Sequence, residues 1–339
     1  MKKKYILLGL VAFIIAVVAF GPRPKYTAIK AEKATISTAL ADLEGFVAQR
    51  ESRVENIKPD NEARFYWADS VRKTPYAIVY LHGFSASPME GAPIHREIAA
   101  RYACNLYVPR LFGHGLTEPE ALEGLTPQKL ITSAEEALAI GHEIGDKVIL
   151  MSCSTGGTLS IYLSAQHPEL VEAQLLFSPN IAIAAPTAPL ATGPWGRELV
   201  ASMVGERREI TSEEKDDPSA KYWSKSYSID ALIALQSLLD QSMTEETWTA
   251  IKQPYLLACY YKDEEKQDPV VSVAAMREFD QLTKTPTDQK RFVEFADVSD
   301  HVFISDIKND DLSSVRKTSF SFMEEVLGLS VSAASSAQD

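Results

Sequence analysis

Residues 150–157 read LMSCSTGG and overlap the end of an apolar run, KVILM, at 147–151. An apolar run that ends in small residues and glycines, and then leads into TLSIYL at 158–163, predicts a strand, a tight turn and a helix. Ser154 stands at the apex of this turn, in a small-x-Ser-x-Gly variant of the Gly-x-Ser-x-Gly pattern. Such a turn lifts the serine hydroxyl to a helix N-terminus, where backbone N–H groups stabilise negative charge. We therefore interpret Ser154 as a nucleophile.

The register of the turn favours Ser154 over its neighbours. The residues two positions before and two positions after the nucleophile crowd each other, so both have to be small. Ser152 and Gly156 meet this requirement, whereas an apex at Cys153 would put Met151 at one of the two positions. The alternative is a Ser/Gly-rich turn without chemistry, and the partners of the serine decide between the two interpretations.

Chain order selects the histidine. A nucleophile on such a turn is followed first by an acid and then by a histidine. Only His167 and His301 follow Ser154 among the six histidines of the chain. His167 ends the helix that the serine begins, so it is interpreted as a surface residue. His301 lies in a loop after the strand-like run RFVEF at 291–295, which is where the general base is expected; the alternative is an incidental surface histidine.

The acid is expected after the preceding strand, PYLLACY at 254–260. Its loop carries several acidic residues, and Asp268 is followed by Pro-Val-Val, where the chain turns into the next helix. We choose Asp268 as the acid that orients His301, and Asp263 is the alternative. The other acidic residues of this loop are interpreted as solvated side chains.

The run YAIVYL at 76–81 predicts another strand, and it ends in His82-Gly83-Phe84. Gly83 lets the backbone turn, so that the Phe84 N–H points at the substrate oxygen. The N–H of Thr155, directly after the nucleophile, would be the second oxyanion donor. We interpret His82 as a structural residue of this loop and not as a base, because it precedes Ser154 in the chain. His114, in the loop at 109–115, is expected at the rim of the site.

With Ser154, Asp268 and His301 in this order, and with the loops at 82–84 and 113–115, the chain resembles the α/β-hydrolase superfamily. Within it, the chain is similar to the monoacylglycerol lipase and bacterial carboxylesterase branch, which includes serine aminopeptidase-like members. The resemblance covers roughly residues 63–327. It implies a mostly parallel central sheet flanked by helices, hydrolysis of carboxylic esters and no cofactor. The chain departs from the pattern at Ser152, where the family has glycine, and at Asp300, where many members have glycine.

We divide the hydrolase core into residues 63–178 and 252–328, interrupted by an insertion at 179–251 that is too long for a simple loop. Helical patterns at 195–204 and 228–239 predict a helical cap over the site. Apolar cap residues would favour esters with hydrophobic acyl chains. The residues expected against the substrate, from the core and the cap together, are His82, Gly83, Cys153, His114, Trp195 and Trp223.

Residues 1–21 form a separate unit. Three lysines precede sixteen uncharged, almost wholly apolar residues at 5–20. This pattern predicts an uncleaved signal anchor, with a cleaved signal peptide as the alternative. The lysines favour a cytoplasmic N-terminus, so we expect the catalytic domain outside the cytoplasm, either membrane-anchored or secreted. Residues 22–62 are expected to form a polar helical stem, and residues 329–339 a disordered tail.

The net charge of −12 argues against a nucleic-acid partner and against binding of the domain to anionic lipid. No His and Cys cluster has metal-ligand spacing, and no phosphate-binding or dinucleotide motif is present. The expected substrate is thus a small-molecule ester or lipid. Three alternatives stay open. The same triad would serve an acyltransferase or a peptidase or amidase, the last with a cap pocket built from Glu213, Glu214, Asp216 and Asp217. A silent binding module is less plausible, because it has no use for a complete triad.

Overall fold

A computed structural model describes Tyr5 and residues 20–211, 217–298 and 300–333. The strands are β1 (Arg64–Tyr66), β2 (Thr74–Leu81), β3 (Asn105–Val108), β4 (Gly145–Cys153), β5 (Ala173–Phe177), β6 (Arg207–Glu209), β7 (Ser226–Ser228), β8 (Tyr255–Tyr260) and β9 (Lys290–Phe295). The α-helices are α1 (Leu43–Glu51), α2 (Ile94–Arg101), α3 (Pro127–Ile144), α4 (Thr155–Gln166), α5 (Gly196–Val204), α6 (Ile229–Ser242), α7 (Glu245–Ala250), α8 (Val273–Leu282) and α9 (Ser313–Glu325).

Seven strands form one sheet in the order β1-β3-β2-β4-β5-β8-β9. Only β1 is antiparallel to its neighbour, and the other pairs are parallel. The central strand β4 reads as a continuous apolar run because helices cover both faces of the sheet and its last six residues are buried. The mostly parallel sheet flanked by helices that the sequence predicts is confirmed.

Side chains alternate between the two faces of the sheet, as Ile78 and Val79 of β2 illustrate. Ile78 packs in one buried cluster with residues of α2 and α9, and Val79 packs in another with residues of α1, α3, α4 and α6. The carboxyl ends of the parallel strands consequently meet along one edge, where open α/β sheets bind their ligands.

The insertion at 179–251 contains the two predicted helices, α5 and α6. It also contains the antiparallel pair of β6 and β7, which the sequence does not reveal because Arg207–Glu209 has no apolar alternation. Helix α6 places Leu238 in the same buried cluster as α3 and α4, so this part of the insertion is anchored on the core. Helix α7 packs against α4 and α8, beside the core.

The prediction of a helical stem at 22–62 was wrong for most of that segment. Residues 22–38 contain no helix, and only α1 and a single 3-10 turn at Leu40–Asp42 follow them. The extended residues lie along the domain, because the side-chain amides of Gln128 and Gln241 bind the backbone of Lys30 and Ile29 at 2.8–2.9 Å. Apolar side chains along the segment, Ile36 among them, pack on the buried cluster of α3 and α4.

The C-terminal tail also differs from its prediction over the residues described. Leu329 is buried and its N–H donates to the carbonyl of Met323, while the N–H of Ser332 donates to the carbonyl of Arg101 at 2.8 Å. The tail therefore packs on α2 and α9 as far as residue 333, and residues 334–339 lie outside the described residues.

Of the predicted membrane segment at 1–21, only Tyr5, Phe20 and Gly21 are among the described residues. Within the part of the chain that the structure describes, no helix has the length and apolar character needed to cross a membrane.

Leu43, at the start of α1, is fully buried although it precedes the sheet by about 20 residues. We predict that Leu43→Ala lowers the free energy of unfolding by about 2–5 kcal/mol, because it opens a cavity in the buried cluster that Leu43 shares with α3 and α4. Leu190→Ala, in the exposed cap, is the control and should cost less than about 0.5 kcal/mol. Urea unfolding of both variants tests this, and equal midpoints would show that the segment before β1 does not stabilise the domain.

Candidate active site

Ser154 joins β4 to α4 in a backbone conformation that side-chain-bearing residues rarely adopt, with φ 53° and ψ −120°. Its N–H donates to the carbonyl of Phe177 at 3.1 Å, and its own carbonyl accepts from Gly157 and Asn180 at 2.8 and 2.9 Å. These bonds hold the serine at the apex of the strand-to-helix turn that the sequence predicts. The helix N-terminus behind it leaves backbone N–H groups facing the site.

The requirement for Gly156 has a different origin from the one expected. A β-carbon on this residue would lie 1.8 Å from the carbonyl oxygen of Leu81 and 2.5 Å from its carbonyl carbon. Ser152 is not among the three nearest groups. The end of β2, and not Ser152, therefore excludes a side chain at Gly156. The absence of a side chain lets the end of β2 approach the turn after β4.

His301 and Asp268 form a buried pair, with Nδ1 of the histidine 2.7 Å from Oδ2 of the aspartate. The other oxygen, Oδ1, accepts from the N–H groups of Val270 and Val271 at 2.9 and 3.0 Å. With a proton on Nδ1, Nε2 of His301 is left as an acceptor. This atom is buried without a hydrogen-bond partner among the described residues, and His301 lines the same cavity as Ser154.

Burial opposes the charge of both groups, and the pairing outweighs it. The hydrogen bond and charge of His301, with the two backbone N–H groups, hold the pKa of Asp268 below its ordinary value. The hydrogen bond to Asp268 and the nearby negative charges of Asp268, Glu90 and Asp300 raise the pKa of His301 above 6.5 despite burial. The pair thus favours an aspartate that stays ionised beside a histidine that accepts a proton readily.

Asp263, the alternative acid, has a local role. Its carboxylate accepts from the N–H groups of Glu265 and Lys266 at 3.0 and 2.8 Å, within an exposed turn of its own loop. The structure brings Asp268, and not Asp263, into contact with His301.

The two predicted oxyanion donors are available. Neither the Phe84 N–H nor the Thr155 N–H makes a hydrogen bond to any described residue, and both residues line the cavity that holds Ser154. His82 supports the first donor from behind, since its Nδ1 lies 3.0 Å from the carbonyl oxygen of Gly83 and its Nε2 accepts from the N–H of Leu111 at 3.1 Å.

Four of the six predicted substrate contacts lie behind the cavity wall. His82 and His114 are buried with their rings 5.0 Å apart, and burial holds the pKa of His114 down at about 4 and that of His82 well below its usual range. A β-carbon on Gly83 would lie 3.0 Å from the β-carbon of Ser154, so Gly83 lies directly beside that residue. Cys153 points into the buried cluster of α2 and α9, because side chains alternate along β4 and the residue before Ser154 faces away from the cavity.

Only one of the other two predicted substrate contacts lies at the cavity. Trp223 lines the cavity, whereas Trp195 does not. Trp195 precedes α5 in a left-handed conformation, with φ 59°, and its indole lies over Gly21, where a β-carbon would meet Nε1 at 2.0 Å. The backbone N–H of Trp195 also donates to the carbonyl of Pro22 at 2.7 Å. Gly21 and Pro22 therefore contact Trp195, which the sequence predicted to contact the substrate.

The cavity has a volume of about 380 Å³, within the range of small-molecule sites. Its wall is mainly apolar, from Ile183, Ile210, Tyr227, Leu232, Leu235 and Val270. Glu90, Asn180, Lys225 and Lys308 also line it, and sequence reasoning missed all four. A signal existed for Glu90, which is the only charged residue in the stretch SASPMEGAP directly after the oxyanion loop. Among the described residues, no cluster of three or more His, Cys, Asp or Glu is arranged to hold a metal ion.

Residues 78–306, more than half of the chain, match the model of the alpha/beta hydrolase family. The chain belongs to this family. A segment of 96 residues, 28% of the chain, is 31% identical to the thermostable monoacylglycerol lipase of Bacillus sp. (strain H-257) and covers 38% of it. The chain thus spans less than half of the length of this curated relative.

Two solved structures of lipolytic enzymes share the fold of this α/β-hydrolase. One is from a study of LipS and LipT, two metagenome-derived enzymes, with a TM-score of 0.62 and 18% identity over 79% of this chain and 99% of that one. The other is the monoacylglycerol lipase of Paleococcus ferrophilus, with a TM-score of 0.56 and 14% identity over 79% and 98%. The resemblance to the α/β-hydrolase superfamily is confirmed, and at these identities the structures establish the fold.

Asp300, a departure from the family pattern, has a defined place in this α/β-hydrolase. Its carboxylate accepts from the N–H of Val302 at 2.9 Å and stabilises the turn that carries His301. The residue also lines the cavity, and its negative charge contributes to the raised pKa of His301.

The pairing of His301 predicts a titration above pH 6.5. We expect Asp268→Asn to lower the pKa of His301, because it removes the negative charge that stabilises the imidazolium. Asp263→Asn, the same change in the same loop, should leave this pKa unaltered. ¹³C NMR titration of labelled histidine rings, with His301→Gln to assign the signal, measures it. An equal midpoint in wild type and Asp268→Asn would contradict the pairing.

Proposed function

We propose that this α/β-hydrolase cleaves carboxylic esters through an acyl-enzyme on Ser154. One observation carries the proposal: His301 is held by Asp268 with its free Nε2 at the cavity that also contains the strained Ser154 and two unpaired backbone N–H groups. A nucleophile, an oriented base and oxyanion donors around one cavity are the parts that acyl transfer needs.

In the proposed reaction, Nε2 of His301 takes the proton of the Ser154 hydroxyl as Oγ bonds to the ester carbonyl carbon. The Phe84 and Thr155 N–H groups stabilise the oxyanion. Collapse of this intermediate breaks the bond to the alcohol oxygen, which receives the proton from His301. Water then gives a proton to His301, attacks the acyl carbon and releases the acid with return of the proton to Ser154.

The substrate class follows from the cavity and from the relatives. Its mainly apolar wall favours an acyl group of hydrocarbon character. The curated relative that matches part of the chain is named a monoacylglycerol lipase, and the two structures above come from lipolytic enzymes. These names support a carboxylesterase or a monoacylglycerol-type lipase.

Asp217 is the one described residue among the four acidic cap residues suggested for the peptidase alternative. Asp217 binds the ammonium of Lys225 at 2.9 Å and accepts from the N–H of Ser219, so its charge is already compensated. The other three acidic residues suggested for amine capture lie outside the described residues. No specific observation favours amide over ester, and transfer to an alcohol is an outcome of the test below.

Hydrolysis of p-nitrophenyl esters from acetate to palmitate by the full chain in mild detergent tests the proposal. We expect turnover that falls at least about 10⁴-fold in Ser154→Ala. Ser152→Ala is the matched control and should keep most of the activity, since its hydroxyl makes only a 3.4 Å bond to the carbonyl of Leu175.

The preferred chain length separates esterase from lipase. Turnover that survives in Ser154→Ala would refute the acyl-enzyme. Absence of turnover across the series, with the fold intact by circular dichroism, would refute ester hydrolysis and favour amide cleavage, acyl transfer to an alcohol or a binding role.

We also propose that the residues before Gly21 attach the protein to a membrane, with the catalytic domain outside the cytoplasm. The support is the sequence, with three lysines, an uncharged run at 5–20 and then Arg23 and Lys25. Carbonate washing of membranes should leave the full chain in the pellet and release a chain that begins at Pro22. A mature protein that has lost about 20 residues by mass would favour secretion instead.

A further inference from the structure

Glu90 is a buried residue in the wall of the cavity that holds Ser154 and His301, and the proposed reaction does not use its carboxylate. It belongs to the 3-10 turn Pro88–Gly91, is 1% exposed and lines the cavity. Its Oε2 accepts from the N–H of Gly83 and from the hydroxyl of Tyr80, both at 2.8 Å. A buried carboxylate is costly unless it is hydrogen-bonded, and these two donors reach it from the end of β2.

The carboxylate lies beside the nucleophile as well as beside the oxyanion loop. A β-carbon on Gly83 would be 2.9 Å from Oε1 of Glu90 and 3.0 Å from Cβ of Ser154. Glu90 and Ser154 therefore flank the same α-carbon, and Gly83 is the residue directly before the oxyanion donor Phe84.

The contacts of Gly83 fix the direction of the donor. Its N–H is held by Glu90, and its carbonyl oxygen contacts Nδ1 of His82 at 3.0 Å and accepts from the N–H of Ala86 at 3.3 Å. Because a trans peptide is planar, fixing the Gly83 carbonyl also fixes the Phe84 N–H, which points the opposite way. Glu90 is the only charged side chain in this set of contacts.

Glu90 also reaches the cap and the base. The polar side chain of Trp223 and the positive charge of His301 both favour the ionised form of Glu90 and act to lower its pKa. The cap is bound to the same loop, since the N–H of Ser224 donates to the carbonyl of Ser85 at 2.7 Å. In turn, the charge of Glu90 adds to that of Asp268 in favouring the imidazolium of His301.

We propose that Glu90 is a positioning residue for ester hydrolysis, whose carboxylate holds the N–H of Gly83, and with it the backbone that leads into the Phe84 donor, and stabilises the imidazolium that forms on His301. This inference rests on the proposed function of the same site. No bond forms or breaks at Glu90, which acts through Phe84 and His301 and does not touch the reacting atoms.

The role has a consequence for pH dependence. Burial raises the pKa of Glu90 to about 7, although its hydrogen bonds and the charge of His301 act against the rise. Activity would then require both Glu90 and His301 to be deprotonated in the free enzyme, so two protons would be lost on the acid limb of kcat/KM. The titratable and charged groups that face Glu90 or line the same cavity are Tyr80 on β2, Cys153 on β4, Lys225 in the insertion, Asp300 and His301 after β9, and Lys308 beside Trp223.

Glu90→Gln in the full chain tests the inference, because it keeps an acceptor and removes the charge. We expect kcat for a p-nitrophenyl ester to fall roughly 10- to 100-fold with KM changed by less than about threefold. The slope of log kcat/KM on the acid side should change from two toward one, and the limb should move to lower pH because His301 loses a negative neighbour. Unchanged kcat and an unchanged slope would overturn the inference.

Glu135→Gln is the matched control. Glu135 on α3 is also buried and has a pKa raised to about 7 by burial, but it lies under the N-terminal segment beside His167. Its replacement should leave the slope at two. A slope of one in Glu135→Gln as well would assign the effect to buried carboxylates in general and overturn the specific role of Glu90.

Tyr80→Phe provides a second test if Glu90→Gln does not fold. It removes one hydrogen bond that lowers the pKa of Glu90, so the acid limb should move to higher pH with the slope kept at two. A limb that stays in place would contradict the inference. Wild type without Ser154-dependent turnover would refute the proposed function and the inference together, whereas an active wild type with unaltered variants would refute the inference alone.

Discussion

The site depends on the strained backbone of Ser154. A serine at φ 53° costs about 1–3 kcal/mol and persists only where its surroundings determine it. Here the bond to Phe177 ties the serine to β5, and the bonds from Gly157 and Asn180 tie its carbonyl to α4 and to the chain beyond β5. Contact of Gly156 with the end of β2 completes the arrangement. Because both neighbouring strands hold the turn, the sheet itself presents the hydroxyl.

Strand order places the remaining groups around that hydroxyl. The oxyanion loop follows β2, which pairs with β4 on one side, and the acid loop follows β8, which lies beyond β5 on the other. His301 follows β9, at the edge of the sheet, and reaches back to Asp268. Parallel strands put all these loops at one edge, so residues more than 200 positions apart in sequence share one cavity.

The sequence predicts those parts of the site that depend on local pattern and chain order. The strand-turn-helix at Ser154 and the loop positions of His301, Asp268 and Phe84 are of this kind. The predictions of a substrate contact at Trp195 and of a helix at 22–38 were wrong because both depend on packing between distant residues. The indole packs on Gly21, and the segment packs on α3 and α6. The prediction of a substrate contact at Cys153 was wrong for a local reason, since side chains alternate along β4 and that of Cys153 points into the core. Glu90 was missed because a charged residue after a loop ordinarily predicts exposure.

The histidines near the site illustrate how environment divides one residue type into two roles. His82 and His114 are fully buried and contact no carboxylate among the described residues, so desolvation keeps them neutral and they serve the loops as hydrogen-bonding groups. His301 is also buried, yet its pKa is raised because Asp268 contacts it and Glu90 and Asp300 lie near. These partners favour the protonated form of His301. Burial therefore keeps two rings neutral, and the negative charge placed around the third raises its pKa.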